Sequence, residues 1–495
     1  METQFNETHA QDINDIMQQS FAAYEAYQNH TGQQKAVFLD EIANQIDILG
    51  DELINLASAE TNLPYPRLKV ERDRTTNGLR MFAEMLREGS WVDASIDTAQ
   101  PDRLPIAKPD IRKMLFPLGP IVVFGASNFP FAYSTAGSDT SSALAAGCSV
   151  VVKAHPAHSQ TSEMVFCSIK KAIEICKMPE QIFMHVHTSS FDVGKALVQH
   201  PATAAVGFTG SYIGGKALLD YSAERKHPIP VFSEMGSVNP VVFLPETLKA
   251  NAVQLASQFS ASITGSMGQF CTNPGLMIGI ESAELDHFLD LLCAEVNQVL
   301  PAKMLHQGIY NSFNSNREKA LNQSDVVLIT DENHPTQNLE AVPSIATVSG
   351  IEFLKNPVLH EEIFGPYSLM VVCQNKAELI AVWKALTGQL TTTLMGTETD
   401  FENHPDLICL AKTIAGRIIF NGVPTGVEVC ASMVHGGPMP ATTDSRFTAV
   451  GINSVKRWVR PVCFQNCPQH LLPVALQDEN TDEIWRIVDG KMGKF

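Results

Sequence analysis

Cys271 stands in GSMGQFCTNPG, among glycine, serine, glutamine, asparagine and proline, whereas free cysteines usually pack into cores. A thiol in a loop of small residues has room to attack a carbonyl carbon, and its thiolate is the reactive form. Four other stretches carry the residue types such an attack needs. Glu234 closes an apolar run in PVFSEMGSVNP, where burial is expected to raise its pKa toward the range of a general base; it could equally cap a turn. Asn128, in GASNFP, offers an amide to a developing oxyanion or acts as a turn former. Lys153 ends SVVVKAHP as a cation for a ribose or phosphate, or simply as a solvated strand end. GFTGSYIGGK sets Gly210, Ser211, Gly214, Gly215 and Lys216 between a strand and a helix. Glycines there let backbone approach a phosphate at a helix N-terminus, although the pattern is neither GxGxxG nor a Walker loop and also suits a plain strand–helix turn.

These loops need a frame. From Pro120 onward PIVVFGA, SVVVKA, QIFMHVH, AAVGFTG and PIPVFSEMG read as strands, and TSEMVFCSIKKAIEICKMP as a helix with Val165, Ile169, Ile173 and Cys176 inward. Strands alternating with helices predict right-handed crossovers and a parallel sheet, with ligands at the C-terminal strand ends. The chain before this region is helical by period: Phe38, Ile42, Ile46 and Leu53 keep helical spacing around Gly50, and Leu79, Phe82 and Leu86 share one face. TLKANAVQLASQFSASIT reads as a helix that delivers the chain into the cysteine loop. A second α/β region follows, and RWVRPVCF is expected to pair with PDIRKMLF in a small projecting sheet. The chain thus divides into a cofactor-binding unit over 1–232 with a strand excursion near 97–117, a catalytic unit over 233–431, and a return segment over 432–495.

Composition narrows the partners. With 495 residues, 44% hydrophobic and 18% charged, the chain is that of a soluble globular protein. A net charge of −18 without a basic run argues against nucleic acid. No apolar run approaches the roughly 20 residues needed to span a bilayer, and the polar, acidic start reads as neither a secretory signal nor a transit peptide. Ten cysteines are too dilute for a disulfide scaffold. Cys463 and Cys467, in CFQNCP, lack a second Cys/His pair, so no metal site is expected and a reducing cytoplasm fits.

Taken together, the motifs resemble one family, the NAD(P)-dependent aldehyde dehydrogenases. They run in the family's order: Asn128 in SNFP, Lys153, GFTGS with Gly215, Glu234 in EMGSVNP, Cys271 in GQFCT, and Glu362 and Phe364 in EEIFGP. The resemblance implies an α/β fold with a Rossmann-type parallel cofactor sheet, an α/β catalytic domain and a small oligomerisation sheet. It further implies that Cys271 attacks an aldehyde and that Asn128 and the Cys271 N–H hold the oxyanion. Hydride passes to the nicotinamide, and Glu234 then activates water to hydrolyse the thioester. Glu362 would bind the nicotinamide ribose and Phe364 pack beside it. Homodimers or homotetramers form through the small sheet in this family.

Where many NAD-preferring members carry an acid three residues after the lysine, this chain has Pro156. With His155 and Lys216 nearby, NADP is expected to be accepted and preferred over NAD. Several stretches, among them KAHPAHSQTSE and MVHGGPMPATTDSRFTAVG, look like the 2-oxoglutarate-semialdehyde (2,5-dioxovalerate) dehydrogenase branch, whose relatives include an NADP-dependent fatty-aldehyde dehydrogenase. A substrate with a distal carboxylate wants a guanidinium at the tunnel mouth; Arg74 and Arg80 are the candidates, against the reading that both are surface arginines. The alternatives are a broad or fatty-aldehyde dehydrogenase, a coenzyme A-acylating enzyme, which would need no Glu234, and a non-catalytic relative.

Overall fold

A computed structural model describes residues 7–331 and 334–495. The short apolar runs after Pro120 form a five-stranded parallel sheet in the order Phe183–Val186, Val150–Lys153, Ile121–Phe124, Ala205–Thr209, Val231–Glu234. Val150, Val151 and Val152 are completely buried, as expected of strands covered by helices on both faces. Successive strands run outward on one side of Ile121–Phe124 and then resume on its other side. That reversal opens a crevice beyond the strand ends, where ligands bind in such sheets. The loops carrying Asn128, Lys153 and Gly210 all leave the sheet there.

A seven-stranded sheet follows, ordered Val327–Leu328, Ser344–Ser349, Tyr367–Cys373, Leu276–Ile280, Val241–Phe243, Gln389–Met395, Ala415–Phe420. It is parallel except for its first strand. Helix Pro245–Thr264 packs Leu248, Leu255 and Phe259 against it and ends at Gly265, one short turn before the cysteine loop. The third sheet contains the expected pairing: Val459–Gln465 lies antiparallel to Ile111–Pro117, with Val459 opposite Pro117 and Gln465 opposite Ile111.

Helix Tyr65–Glu88 buries Leu68, Glu71, Leu79, Phe82 and Leu86 and stops at Gly89, whose positive φ of 81° makes a left-handed cap. Phe38, Ile42, Ile46 and Leu53 are all buried, on the helices Gly32–Ile48 and Gly50–Thr61. Late in the chain Trp458, fully buried, donates from its indole N–H to Ser142 Oγ at 2.7 Å. The neighbouring Arg457 pairs with Asp139 at 2.6 Å, so the return segment is locked to helix Ser138–Ala146. Among the described residues no helix is long and apolar enough to cross a membrane.

Candidate active site

The cysteine loop is shaped by unusual backbone. Ser266, Met267 and Gly268 all have positive φ, at 49°, 55° and 61°; consecutive left-handed residues are rare and persist where the surroundings enforce them. A side chain at Gly268 would collide with the carbonyl of Gly365. Asn239, from the EMGSVNP motif, clamps the loop by donating its amide to the carbonyls of Cys271 and Asn273, each at 2.9 Å. Gln269 Oε1 accepts the Leu305 N–H at 2.9 Å, and Asn273 donates to the Gly365 carbonyl at 3.2 Å. The polar residues around the thiol therefore fix its backbone.

Cys271 Sγ lies 3.6 Å from His435 Nε2, and the same nitrogen lies 2.9 Å from Glu234 Oε1. Donor atoms of Cys271, Glu234 and His435 all fall within 4.8 Å of one another. Glu234 ends its strand 3% exposed, and its Oε2 has no partner. Burial alone would raise this carboxyl, as expected from sequence, but His435, Cys271 and Arg457 outweigh it and leave Glu234 below the usual carboxylate range. The expected upward shift is thus corrected by a histidine that sequence reasoning did not assign. The Cys271 thiol, by contrast, is pushed well up by burial and by Glu234, with Arg74 opposing. A neutral thiol beside an ionised carboxylate is the resting pair.

Asn128 is brought to the same place, 9% exposed, its amide donating to the Gln269 carbonyl at 3.3 Å. Lys153, at the neighbouring strand end, is half-buried, and burial lowers its pKa. Gly210 and Gly215 are needed for close packing: a Cβ would meet the Phe208 ring at 2.6 Å and the Met235 sulfur at 2.6 Å respectively. Ser211 caps helix Tyr212–Ala223 by accepting the Gly214 N–H at 3.2 Å. The cradle, its free helix N–H groups and Lys153 fit a dinucleotide pyrophosphate and ribose. Two basic residues beside it have partners of their own. Lys216 is held by Asp220 at 2.5 and 2.7 Å. His155 accepts the Ala157 N–H at 3.1 Å and, through burial and its neighbours His158, Lys153 and His306, is kept neutral.

Glu362 and Phe364 line a cavity together with Ser237, Gly268 and Phe270, beside the cysteine loop. Arg74 lines a second cavity with Tyr133, Val429 and Val450. Its guanidinium lies 3.4 Å from the Tyr133 hydroxyl and has no carboxylate partner among the described residues. Tyr133 in turn lies 6.4 Å, ring to ring, from His435. Arg80 is not brought here: six residues on, at 100° per residue, it emerges on another side and pairs with Asp47 at 2.7 Å and Asn44 at 3.1 Å. Sequence reasoning also passed over Asn239 and Arg67, as well as His435. The MVHGGP stretch around His435 lies 164 residues from Cys271, and only the placement of histidine against paired glycines marked it.

The fold and this thiol–imidazole–carboxylate pocket at a glycine-built dinucleotide crevice are those of an aldehyde dehydrogenase. The aldehyde dehydrogenase family model matches residues 2–437, and the chain belongs to that family: it is an NAD(P)-dependent oxidoreductase that converts an aldehyde to a carboxylic acid. Alpha-ketoglutaric semialdehyde dehydrogenase of Acinetobacter baylyi is 44% identical over 98% of this chain and 92% of its own. Alpha-ketoglutaric semialdehyde dehydrogenase 2 of Azospirillum brasilense is 45% identical over 95% of this chain and 89% of its own. Among solved structures, 3,6-anhydro-L-galactose dehydrogenase in complex with NAP superposes with a TM-score of 0.78 at 19% identity, covering 93% of this chain and 92% of that one; that likeness concerns the fold.

Proposed function

We propose that this enzyme oxidises 2-oxoglutarate semialdehyde to 2-oxoglutarate with Cys271 as nucleophile, Glu234 as base and Asn128 as oxyanion donor. The observation that carries the reading is the convergence of Cys271 Sγ, His435 Nε2 and a buried Glu234 carboxylate beside the amide of Asn128. His435 Nε2 donates to the Glu234 carboxylate and helps keep it ionised as the base, while the thiol gives its proton up to solvent as sulfur bonds to the aldehyde carbon. The Asn128 amide and Cys271 N–H then hold the oxygen of the thiohemiacetal. NAD(P)+, bound over Gly210, Ser211, Gly215 and Lys153, supplies the hydride acceptor. Glu234 takes a proton from water, which attacks the thioester carbon and returns the thiol. The substrate follows from the two relatives at 44% and 45% identity, and Arg74, free of carboxylate partners, suits the distal carboxylate.

For the cofactor, Pro156 leaves no acid to repel a 2′-phosphate, and NADP is the proposed preference. Association into a dimer or tetramer through the exposed edge strand Val459–Gln465 and a reducing, cytoplasmic setting for ten unbridged cysteines complete the reading. The test is kcat/KM of the purified enzyme with both cofactors on 2-oxoglutarate semialdehyde, succinic semialdehyde, glycolaldehyde and a long-chain aldehyde. The five-carbon oxo acid with NADP should lead by at least about tenfold, roughly the value of one oriented ion pair; a long-chain aldehyde in front would overturn the substrate.

Glu362 adds a pH signature. Burial, opposed by the Ser237 backbone, pushes its carboxyl up to about 7. If it accepts the ribose hydroxyls it does so ionised, so cofactor KM should fall as pH rises through about 7. Glu362→Gln should flatten that dependence in initial-rate measurements.

A further inference from the structure

Arg67 is a half-buried cation that the chemistry above does not use. It lies on helix Tyr65–Glu88, with its guanidinium carbon 5.1 Å from the centroid of Phe129 and 4.5 Å from that of Phe270. Those rings belong to the residue after Asn128 and the residue before Cys271. Arg67 Nη2 also donates to the Asn128 carbonyl at 2.6 Å. One side chain thus touches both loops that must meet around the oxyanion.

The arrangement is costly unless it serves a purpose. Arg67 Nε and Nη1 are buried without hydrogen-bond partners, and although the Glu71 carboxyl on the same helix attracts it, no carboxylate lies within ion-pair distance of it among the described residues. Leaving donors of a charged group unsatisfied is what native proteins usually avoid, and such local violations concentrate at functional sites. Glu71, one turn along the same helix, accepts the N–H groups of Phe131 and Ala132 at 2.8 and 3.0 Å. The helix therefore grips the Asn128 loop at both ends, by a guanidinium on a carbonyl and by a carboxyl on two amides.

We infer that Arg67 is a positioning residue: it holds the Asn128 loop against the Cys271 loop and keeps a positive charge behind the place where negative charge appears on sulfur and oxygen. The inference rests on the assignment of Cys271 and Asn128 above. Cation–π contact to both rings orients the planar guanidinium, and preorganised charge in a water-poor site acts where it costs no rearrangement. Lysine would retain charge but could not both stack between the rings and reach the carbonyl.

The test compares Arg67→Met, close in shape but neutral, with Arg67→Lys. For each, kcat, the cofactor dissociation constant, the thermal midpoint and the pH dependence of Cys271 alkylation by iodoacetamide are measured. Arg67→Met should lower kcat about tenfold to a hundredfold, the scale of an ångström-sized misplacement, move the alkylation profile to higher pH and leave cofactor affinity unchanged. Arg67→Lys should keep the alkylation profile while still losing kcat. Wild-type kcat and alkylation in Arg67→Met overturn the inference, as do equal losses in both variants that track a lowered thermal midpoint. Should Arg67→Met not fold, wild-type kcat in Arg67→Lys alone overturns it. Cys271→Ser in the same assay separates the two levels: a dead serine variant beside an unaffected Arg67→Met removes only this inference, whereas an active serine variant removes the assignment beneath it.

Discussion

Replacing Cys271 with alanine should abolish aldehyde-dependent reduction of NAD(P)+, with kcat falling by roughly 10⁴-fold or more, the scale seen when a covalent nucleophile is removed. The expected loss is large because no neighbour can substitute. Cys271 Sγ is the atom that faces His435 at 3.6 Å, and the other cysteines near the sheet cores, Cys148 and Cys373, are buried away from it. The fold should tolerate the change. The loop is held by its backbone, through Asn239 to the carbonyls of Cys271 and Asn273, and not by the thiol. Cofactor binding followed by fluorescence should therefore survive in the variant while absorbance at 340 nm stays flat. Turnover close to that of the parent would show that the bond to carbon forms elsewhere.

How much of this was legible before folding depended on range. Continuous apolar runs and the 3.6-residue period placed the strands and helices well: Val165, Ile169 and Ile173 face inward as expected, while Cys176, the last residue of its helix, is only half-buried. Local motifs also carried the glycine cradle and the cysteine loop, since close packing and backbone capture are decided within a few residues. What escaped was long-range. His435 meets Glu234 across 201 residues, and no spacing rule connects them. The sign of the Glu234 shift depended on that meeting, so reasoning from burial alone predicted the wrong direction. Arg74 and Arg80 share one helix and looked equivalent; helix phase and the carboxylate of Asp47 on the packed neighbour Gly32–Ile48 separate them. The Lys216–Asp220 pair, by contrast, was readable as an i, i+4 contact in GKALLD.

The second large effect is expected at Glu234. Glu234→Gln keeps the shape of the side chain and a hydrogen-bonding contact to His435 but removes the base. Attack by sulfur and loss of hydride need no water, so a rapid burst near one NAD(P)H per active site should remain. Hydrolysis of the thioester should slow by about 10²- to 10⁴-fold, the usual contribution of a general base, and the acyl-enzyme should accumulate at a mass equal to protein plus the acyl group. The histidine then makes a separable prediction about pH. In the parent, His435 and Arg457 offset the burial that raises Glu234, so the carboxylate is ionised well below neutrality and deacylation should be flat from pH 6 to pH 8. Removing the imidazole by His435→Asn takes away the largest interaction opposing burial, so the Glu234 carboxyl is pushed upward. Steady-state rates in His435→Asn should thus fall on acidification from pH 8 to pH 6, with the burst preserved at the upper end. A pH-independent loss in that variant, or a missing burst in Glu234→Gln, would mean that the imidazole–carboxylate pair acts before hydride transfer and not in the release of the acid.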